Sequence, residues 1–279
     1  MAGLDSACKP CRRGLDCFCY FPWGRTENMC LCMQGRQPYS QPHYMVRQML
    51  VQERKVFYMD SLLTTALFDL AHTAARPLLE GVAYPWQALP GIGGFIKELG
   101  PTLLAEDYEC RGEDVWVHKS AVIFPNNYIA GPCIIGPGTE VRPGAFIRGN
   151  ALVGAGCVVG NSTELKNVIL FDRVQVPHYN YVGDSILGYK SHMGAGSITS
   201  NVKSDKTLVT VNADGQRVET GLKKCGAMLG DGVEVGCGTV LNPGTVVGKG
   251  ARIYPLSMVR GLVPGGSVYK RQGEVVPLT

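Results

Sequence analysis

One histidine, a pair of cations and a cluster of cysteines are the side chains here with chemistry to offer. His178 stands between Lys166 and Tyr181, close to both along the chain. A neutral imidazole takes a proton near pH 7, so His178 can act as a general base. A histidine bonded to backbone at a chain corner is the competing reading. Arg142 and Lys166 combine a flat bidentate fork with a point charge, which suits a dianionic phosphate, although such residues are commonly solvated surface charges. More than half of the cysteines crowd near the start of the chain, at Cys8, Cys11, Cys17, Cys19, Cys30 and Cys32. Cys8-x2-Cys11 can put two thiolates on one tetrahedral ion, but the following Cys-x-Cys pairs lack the regular spacing of a zinc fold. Gly91, Gly93 and Gly94 have neither a preceding strand nor a Lys-Ser/Thr ending, and they read as a loop rather than a phosphate cradle.

The elements that must position these groups follow a period of six. Val117, Ile123, Ile129, Ile135, Val141, Ile147, Val153, Val159 and Leu165 are all branched aliphatics. Four residues after most of them comes a small side chain: Ala121, Cys133, Thr139, Ala145, Ala151, Cys157, Thr163, with Asn127 and Ile169 as exceptions. A helix needs a period near 3.6 and a half-buried strand a period of 2. Six fits a coil of short parallel strands, with one large and one small side chain pointing inward per side, so the fold class is an all-β solenoid. The beat returns at Leu229, Val235, Leu241, Val247, Ile253 and Val259. Between the two ladders Tyr181, Leu187 and Met193 form another phase, with Ser185, Ser191 and Ser197 in the small slot. Counting by sixes from Leu165 leads to Gly183, whereas the new phase starts at Tyr181, so the coil is expected to lose two positions between Lys166 and Asn180. His178 falls inside that slip, at a corner where a side chain can project. Cys133, Cys157 and Cys237 occupy the small inward slot or its neighbourhood and read as packing residues.

The rest of the chain divides around this coil. Residues 1–44 read as a tail with no stable fold. Residues 45–112 carry helical signals: Asp60-Ser61 caps a helix through Leu62, Leu63, Ala66, Leu67, Leu70 and Ala74 that ends before Pro77, and a short helix follows around Phe95–Leu99. This segment is a natural lid for the open first coil. The solenoid spans 113–270, with a hairpin inserted at 199–224 around Asn212-Ala213-Asp214-Gly215, and 271–279 forms a C-terminal tail. A net charge of +4 without a basic run argues against nucleic acid. No apolar stretch is long enough to span a membrane, and the start lacks a secretory pattern, so a cytoplasmic protein is expected.

Four motifs then occur in order: Arg142-Pro143-Gly144-Ala145; Val159-Gly160-Asn161-x-x-Glu164-x-Lys166; His178-x-x-Tyr181-Val182-Gly183-Asp184; and Met193-Gly194-Ala195-Gly196-Ser197-Ile198-x-x-Asn201. Together they resemble the left-handed β-helix acetyltransferase domain of bifunctional UDP-N-acetylglucosamine pyrophosphorylase/glucosamine-1-phosphate acetyltransferases. Pro177-His178 and Glu219-Thr220-Gly221-x-Lys223-Lys224 are similar to related sugar-1-phosphate nucleotidylyltransferases. The resemblance covers about residues 115–270. It implies a left-handed parallel β-helix and an acetyl-CoA-dependent N-acetyltransferase acting on an amino-sugar 1-phosphate in nucleotide-sugar synthesis. His178 would be the base, with Asn201 or backbone N–H groups holding the oxyanion. Arg142 and Lys166 would bind phosphate, and Tyr181, Asn201 and the candidate Glu164 the sugar. Ala195 and Cys237 would face acetyl-CoA through their backbones. His192 stands where that family has Asn, which bears on sugar or acetyl recognition.

A non-catalytic sugar-nucleotide-binding protein is the alternative reading. A zinc hydratase on the same coil needs a histidine pair a few residues apart, and His178 and His192 are too widely separated for that, so no metal is expected. Nucleotidyl transfer by this chain alone is not expected, because the pyrophosphorylase half is missing. A homotrimer is expected, packed through aliphatics such as Ile134, Val158 and Val246 on the flat faces.

Overall fold

The computed structural model describes residues 59–278. The six cysteines from Cys8 to Cys32 and the expectations for residues 1–44 lie outside the described residues.

The chain winds into a left-handed parallel β-helix with three faces. On the first face the strands run in register through Ile129, Ile147, Leu165 and Val182. On the second they run through Ile135, Val153, Leu170, Leu187, Leu229 and Val247. On the third they run through Ile123, Val141 and Val159 and, above these, Met193, Val235 and Ile253. Nearly all of these aliphatics are fully buried, which is why a period of six is visible at all. The small slot holds what the corners leave room for, and its hydroxyls cap carbonyls of the neighbouring coil: Thr139 donates to Gly154 O at 2.7 Å and Thr163 to Val176 O at 2.9 Å.

The expected shortening of the coil by two positions occurs as two single losses. The step from Ile147 to its partner Leu165 is a full turn of three repeats. The step from Val153 to Leu170 is one position shorter, so the first loss falls between Leu165 and Leu170. The step from Leu170 to Leu187 is short by one again, and the second loss falls between Val182 and Leu187. Both happen at the corner between the first and second faces, where Asn167 and Asp184 take left-handed backbone (φ 55° and 48°). Two expectations are corrected. The slip does not contain His178, which occupies a regular corner, and Val182 rather than Tyr181 fills the inward position.

The second face is buried on both sides. Its outward aliphatics Ile134, Leu152, Ile169, Ile186, Met228 and Val246 are at most 3% exposed. The N-terminal segment covers the lower part. It consists of short pieces, Thr64–Leu67, Leu70–His72, Arg76–Glu80, Pro85–Gly91 and Ile92–Leu99, in place of the long helix expected from Leu62 to Ala74. Pro77 begins the Arg76–Glu80 turn instead of ending a helix, because proline is tolerated in a first turn. Gly93 and Gly94 lie inside Ile92–Leu99 rather than in a loop. A Cβ at Gly93 would run into the Asn150 side chain, and one at Gly100 into the Trp116 ring, so small residues let this helix lie flat on the face. Ile92, Ile96 and Trp86 are buried beneath it. Burial of each such side chain is worth about 1.5–3 kcal/mol, which holds the segment along the side of the coil and not over its end.

The hairpin Thr210–Ala213/Gln216–Glu219 covers the upper part, burying Val209, Val211 and Ala213. Ile134 and Val246 are therefore occupied within one chain and cannot form the expected trimer contact; Val158, on the third face, is half-buried. The ends of the coil are closed by antiparallel hairpins instead. Tyr108–Gly112 pairs with Val115–His118 at one end, and Ser267–Arg271 with Glu274–Pro277 at the other, so the expected C-terminal tail contains a strand.

Cys133, Cys157 and Cys225 are buried, and burial pushes each thiol up to about 12. Cys237 is exposed, which corrects its reading as a packing residue. Thiolate is the reactive form, so native protein treated with iodoacetamide at about pH 8 should be alkylated at Cys110 and Cys237 and spared at the three buried sites. Peptide mapping that finds Cys157 modified before unfolding would contradict this packing.

Candidate functional site

The first face carries three of the polar side chains that the sequence analysis singled out, Glu164, Lys166 and Tyr181. Tyr128, Phe146, Glu164 and Tyr181 follow one another coil by coil in a single outward column. Arg148, Lys166 and Gly183 form the column beside it. Arg148 Nη1 donates to Glu164 Oε1 at 2.7 Å. Tyr181 is half-buried because its ring folds across Gly183, where any Cβ would meet the phenol oxygen.

Asp184 organises the corner. Its side chain is 4% exposed and accepts from Lys166 Nζ at 2.8 Å, Asn167 Nδ2 at 3.0 Å and Asn201 Nδ2 at 2.5 Å. Asn201 Nδ2 also donates to the Tyr181 hydroxyl at 3.2 Å. A carboxylate only accepts, so Asn201 must turn its nitrogen inward and present Oδ1 outward as an acceptor. Tyr181 accepts from Asn201, which leaves its own O–H free to donate outward. Burial, with the nearby Asp184 and Glu164 charges adding to it, raises the Tyr181 pKa against the lowering effect of the Asn201 hydrogen bond, so the phenol keeps its proton. The chain leaves the coil for the inserted hairpin directly after Asn201, and Cys225 N–H returns to Asn201 O at 3.0 Å.

His178 ends the strand Gln175–His178 at the corner between the third and first faces, and it is exposed. Its backbone N–H is held by Asn180 Oδ1 at 3.1 Å. Asn161 stands one coil before it. Ala195 stands one coil after, as the Gly196 N–H bond to His178 O shows, and Cys237 follows Ala195 through Gly238 N–H to Ala195 O. His178, Ala195 and Cys237 thus share one edge of the prism. Among the described residues, the N–H groups of Ala195 and Cys237 make no hydrogen bond, so this edge offers unpaired donors just above the imidazole.

Two expected ligands are elsewhere. Arg142 lies on the third face and pairs with Glu140 at 3.2 Å. His192 is on the third face too, with Nδ1 at 3.0 Å from Glu234 Oε2, in an open depression of about 430 Å³ with Arg173, Gln175 and Lys190. Neither joins Lys166 and Tyr181 within one chain. Arg148 takes the place expected of Arg142. It stands one whole turn before Lys166, whereas Arg142 stands a turn and one further side before it. Counting whole turns back from Lys166 would have found it. Asp184 gave a signal only as part of a motif, and its burial could not be read from type. Among the described residues no three His, Cys, Asp or Glu side chains converge to hold a metal ion, and no helix is long and apolar enough to cross a membrane.

Residues 129–249 match the family model described as the GMPPB C-terminal domain. The chain is 32% identical over 158 residues to the bifunctional protein GlmU of Methanococcus maripaludis, covering 56% of this chain and 38% of that protein. It is 34% identical over 176 residues to a bifunctional sugar-1-phosphate nucleotidylyltransferase/acetyltransferase of Sulfurisphaera tokodaii, covering 63% and 43%. The chain therefore spans about two fifths of the length of these curated relatives. A hexapeptide transferase family protein from Anaplasma phagocytophilum superposes with a TM-score of 0.34 at 18% identity, over 59% of this chain and 80% of that one.

Proposed function

We propose that this chain, whose solenoid is a GlmU-like hexapeptide β-helix domain, transfers an acetyl group from acetyl-CoA to the amine of an amino-sugar 1-phosphate. The observation that carries this reading is the shared neighbourhood of two unlike sets of groups. One face holds Lys166, Arg148, Glu164, Tyr181 and Asn201, and its bordering edge holds His178 with the free N–H groups of Ala195 and Cys237.

In this reaction the sugar nitrogen attacks the thioester carbonyl carbon, and His178 takes the proton that the nitrogen sheds. The oxyanion is held by a backbone N–H on the edge, for which Ala195 is the nearest candidate. The C–S bond then breaks and the thiolate leaves, taking a proton to give CoA and the N-acetylated sugar phosphate. Lys166 and Arg148 bind the anomeric phosphate. Asn201 is a sugar ligand in this scheme and not an oxyanion donor, because both its amide hydrogens are engaged by Asp184 and Tyr181. A hydroxyl that donates to Asn201 Oδ1 and accepts from Tyr181 O–H satisfies both.

Arg142 and His192 can reach such a site only from a neighbouring copy, so the homotrimer stays part of the proposal with the first or third face as its contact. The decisive experiment follows CoA release with a thiol reagent during incubation with acetyl-CoA and glucosamine 1-phosphate, with glucose 1-phosphate as the amine-free control. Release with the amine and none with the control is expected. If no amino-sugar phosphate in a panel, free or nucleotide-linked, releases CoA above the control, the chain is not an acetyltransferase of this class.

A further inference from the structure

Directly below the groups just described, the first face ends in an exposed aromatic platform. Tyr128 is 59% exposed and Phe146 40%, and their ring centroids lie 5.3 Å apart at 60°. The Arg148 guanidinium stands 5.9 Å from the Phe146 centroid. Large aromatics are costly to leave wet, and no described element covers them. Register gives the order up the face: Tyr128, Phe146 with Arg148, Glu164 with Lys166, then Tyr181 with Gly183. At the spacing of neighbouring strands, Phe146 lies about 10 Å and Tyr128 about 14 Å from Tyr181.

We infer that the acceptor is a nucleotide-linked sugar, with its base stacked on Phe146 and Tyr128 and its diphosphate running along Arg148 and Lys166. This inference rests on the acyl-transfer reading for the sugar end and specifies what the anomeric phosphate carries. A sugar 1-phosphate uses the face only as far as Lys166 and Arg148. Two phosphates and a ribose cover the remaining distance to a base, and any base offers a π-face to an aromatic ring. The carboxylates on this face do not block the path. Glu164 occupies only Nη1 of Arg148, leaving Nε and Nη2 to donate, and Asp184 takes one of the three Lys166 N–H bonds.

Calorimetry with UDP and with GDP on the full-length protein tests this without requiring turnover. At least one nucleotide should bind, and the double variant Tyr128→Ala/Phe146→Ala should bind it roughly 5- to 150-fold more weakly, the range that loss of base stacking gives. The inference is overturned if neither nucleotide binds, if the variant binds as tightly as the wild type, or if the variant changes the sedimentation coefficient, which would make the aromatic pair a contact between copies. Acetyl transfer to glucosamine 1-phosphate without nucleotide binding removes this inference alone. Nucleotide binding without transfer to any amine removes the transferase reading and leaves the binding site standing.

Discussion

Replacing His178 by alanine is expected to slow acetyl transfer by about 10²–10⁴-fold, the range lost with a general base, while thermal stability changes by no more than about 0.5 kcal/mol. The two halves of that expectation have separate causes. His178 is exposed, and among the described residues its hydrogen bonds run through the backbone, from its N–H to Asn180 and from Gly196 to its carbonyl, so an alanine keeps the corner intact. The rate loss follows because a sugar amine cannot complete its attack while it holds the proton it must shed. Phosphate and sugar contacts from Lys166, Arg148 and Tyr181 are untouched, so KM should move little and kcat should carry the defect. A variant that turns over at the wild-type rate, or one whose loss appears in KM and not in kcat, removes His178 from the proton transfer.

The solenoid was legible because its rule is strict: one inward aliphatic at every sixth position, from Val117 to Leu165, all buried except the half-buried Ile123 and Ile129 of the first coil. What could not be read was where the rule bends. Leu165 to Tyr181 counts as a loss of two, but Tyr181 and Val182 are both plausible inward residues, and only a left-handed backbone at Asn167 and again at Asp184 divides the loss between two turns. Asx residues adopt that conformation more readily than other non-glycine types, which is a hint and not a rule. The second face was legible in a different way. Cys133-Ile134-Ile135, Ala151-Leu152-Val153 and Val168-Ile169-Leu170 are apolar at every position, whereas the third face alternates, as in Thr139-Glu140-Val141. Continuous runs mark strands covered on both sides. The cover comes from the chain's own helices and hairpin, which sequence could not distinguish from a second subunit. Arg148 was missed for a related reason. The Arg-Pro-Gly motif drew attention to Arg142, while position on the prism depends on counting turns, and a single repeat moves a side chain to another face.

The largest structural effect is expected at Asp184. Truncation to alanine removes the shared acceptor of Lys166, Asn167 and Asn201 and leaves Asn167, 9% exposed, with a buried unpaired amide. Breaking a buried ion pair costs about 3–5 kcal/mol, but the Lys166 side chain is 26% exposed and can turn to water, so about 2–3 kcal/mol is expected here. Urea unfolding should report it. Stability alone does not show that Asp184 orients the site, and Asp184→Asn addresses that point. The amide keeps the shape and one acceptor oxygen but confronts Asn201 with a donor, so Asn201 must turn its Oδ1 inward and release Tyr181. Its outward group then becomes N–H, the wrong partner for a hydroxyl held between an acceptor and the Tyr181 donor. KM for the sugar acceptor should rise about tenfold, the worth of one mismatched hydrogen bond, with kcat for bound substrate much less affected. Adding Asn201→Asp exchanges donor and acceptor across the same contact, so part of the lost affinity should return in the double variant. If Asp184→Asn binds the acceptor normally, or if the double variant is only the sum of its parts, Asp184 holds the corner together and does not set the polarity of the pair above it.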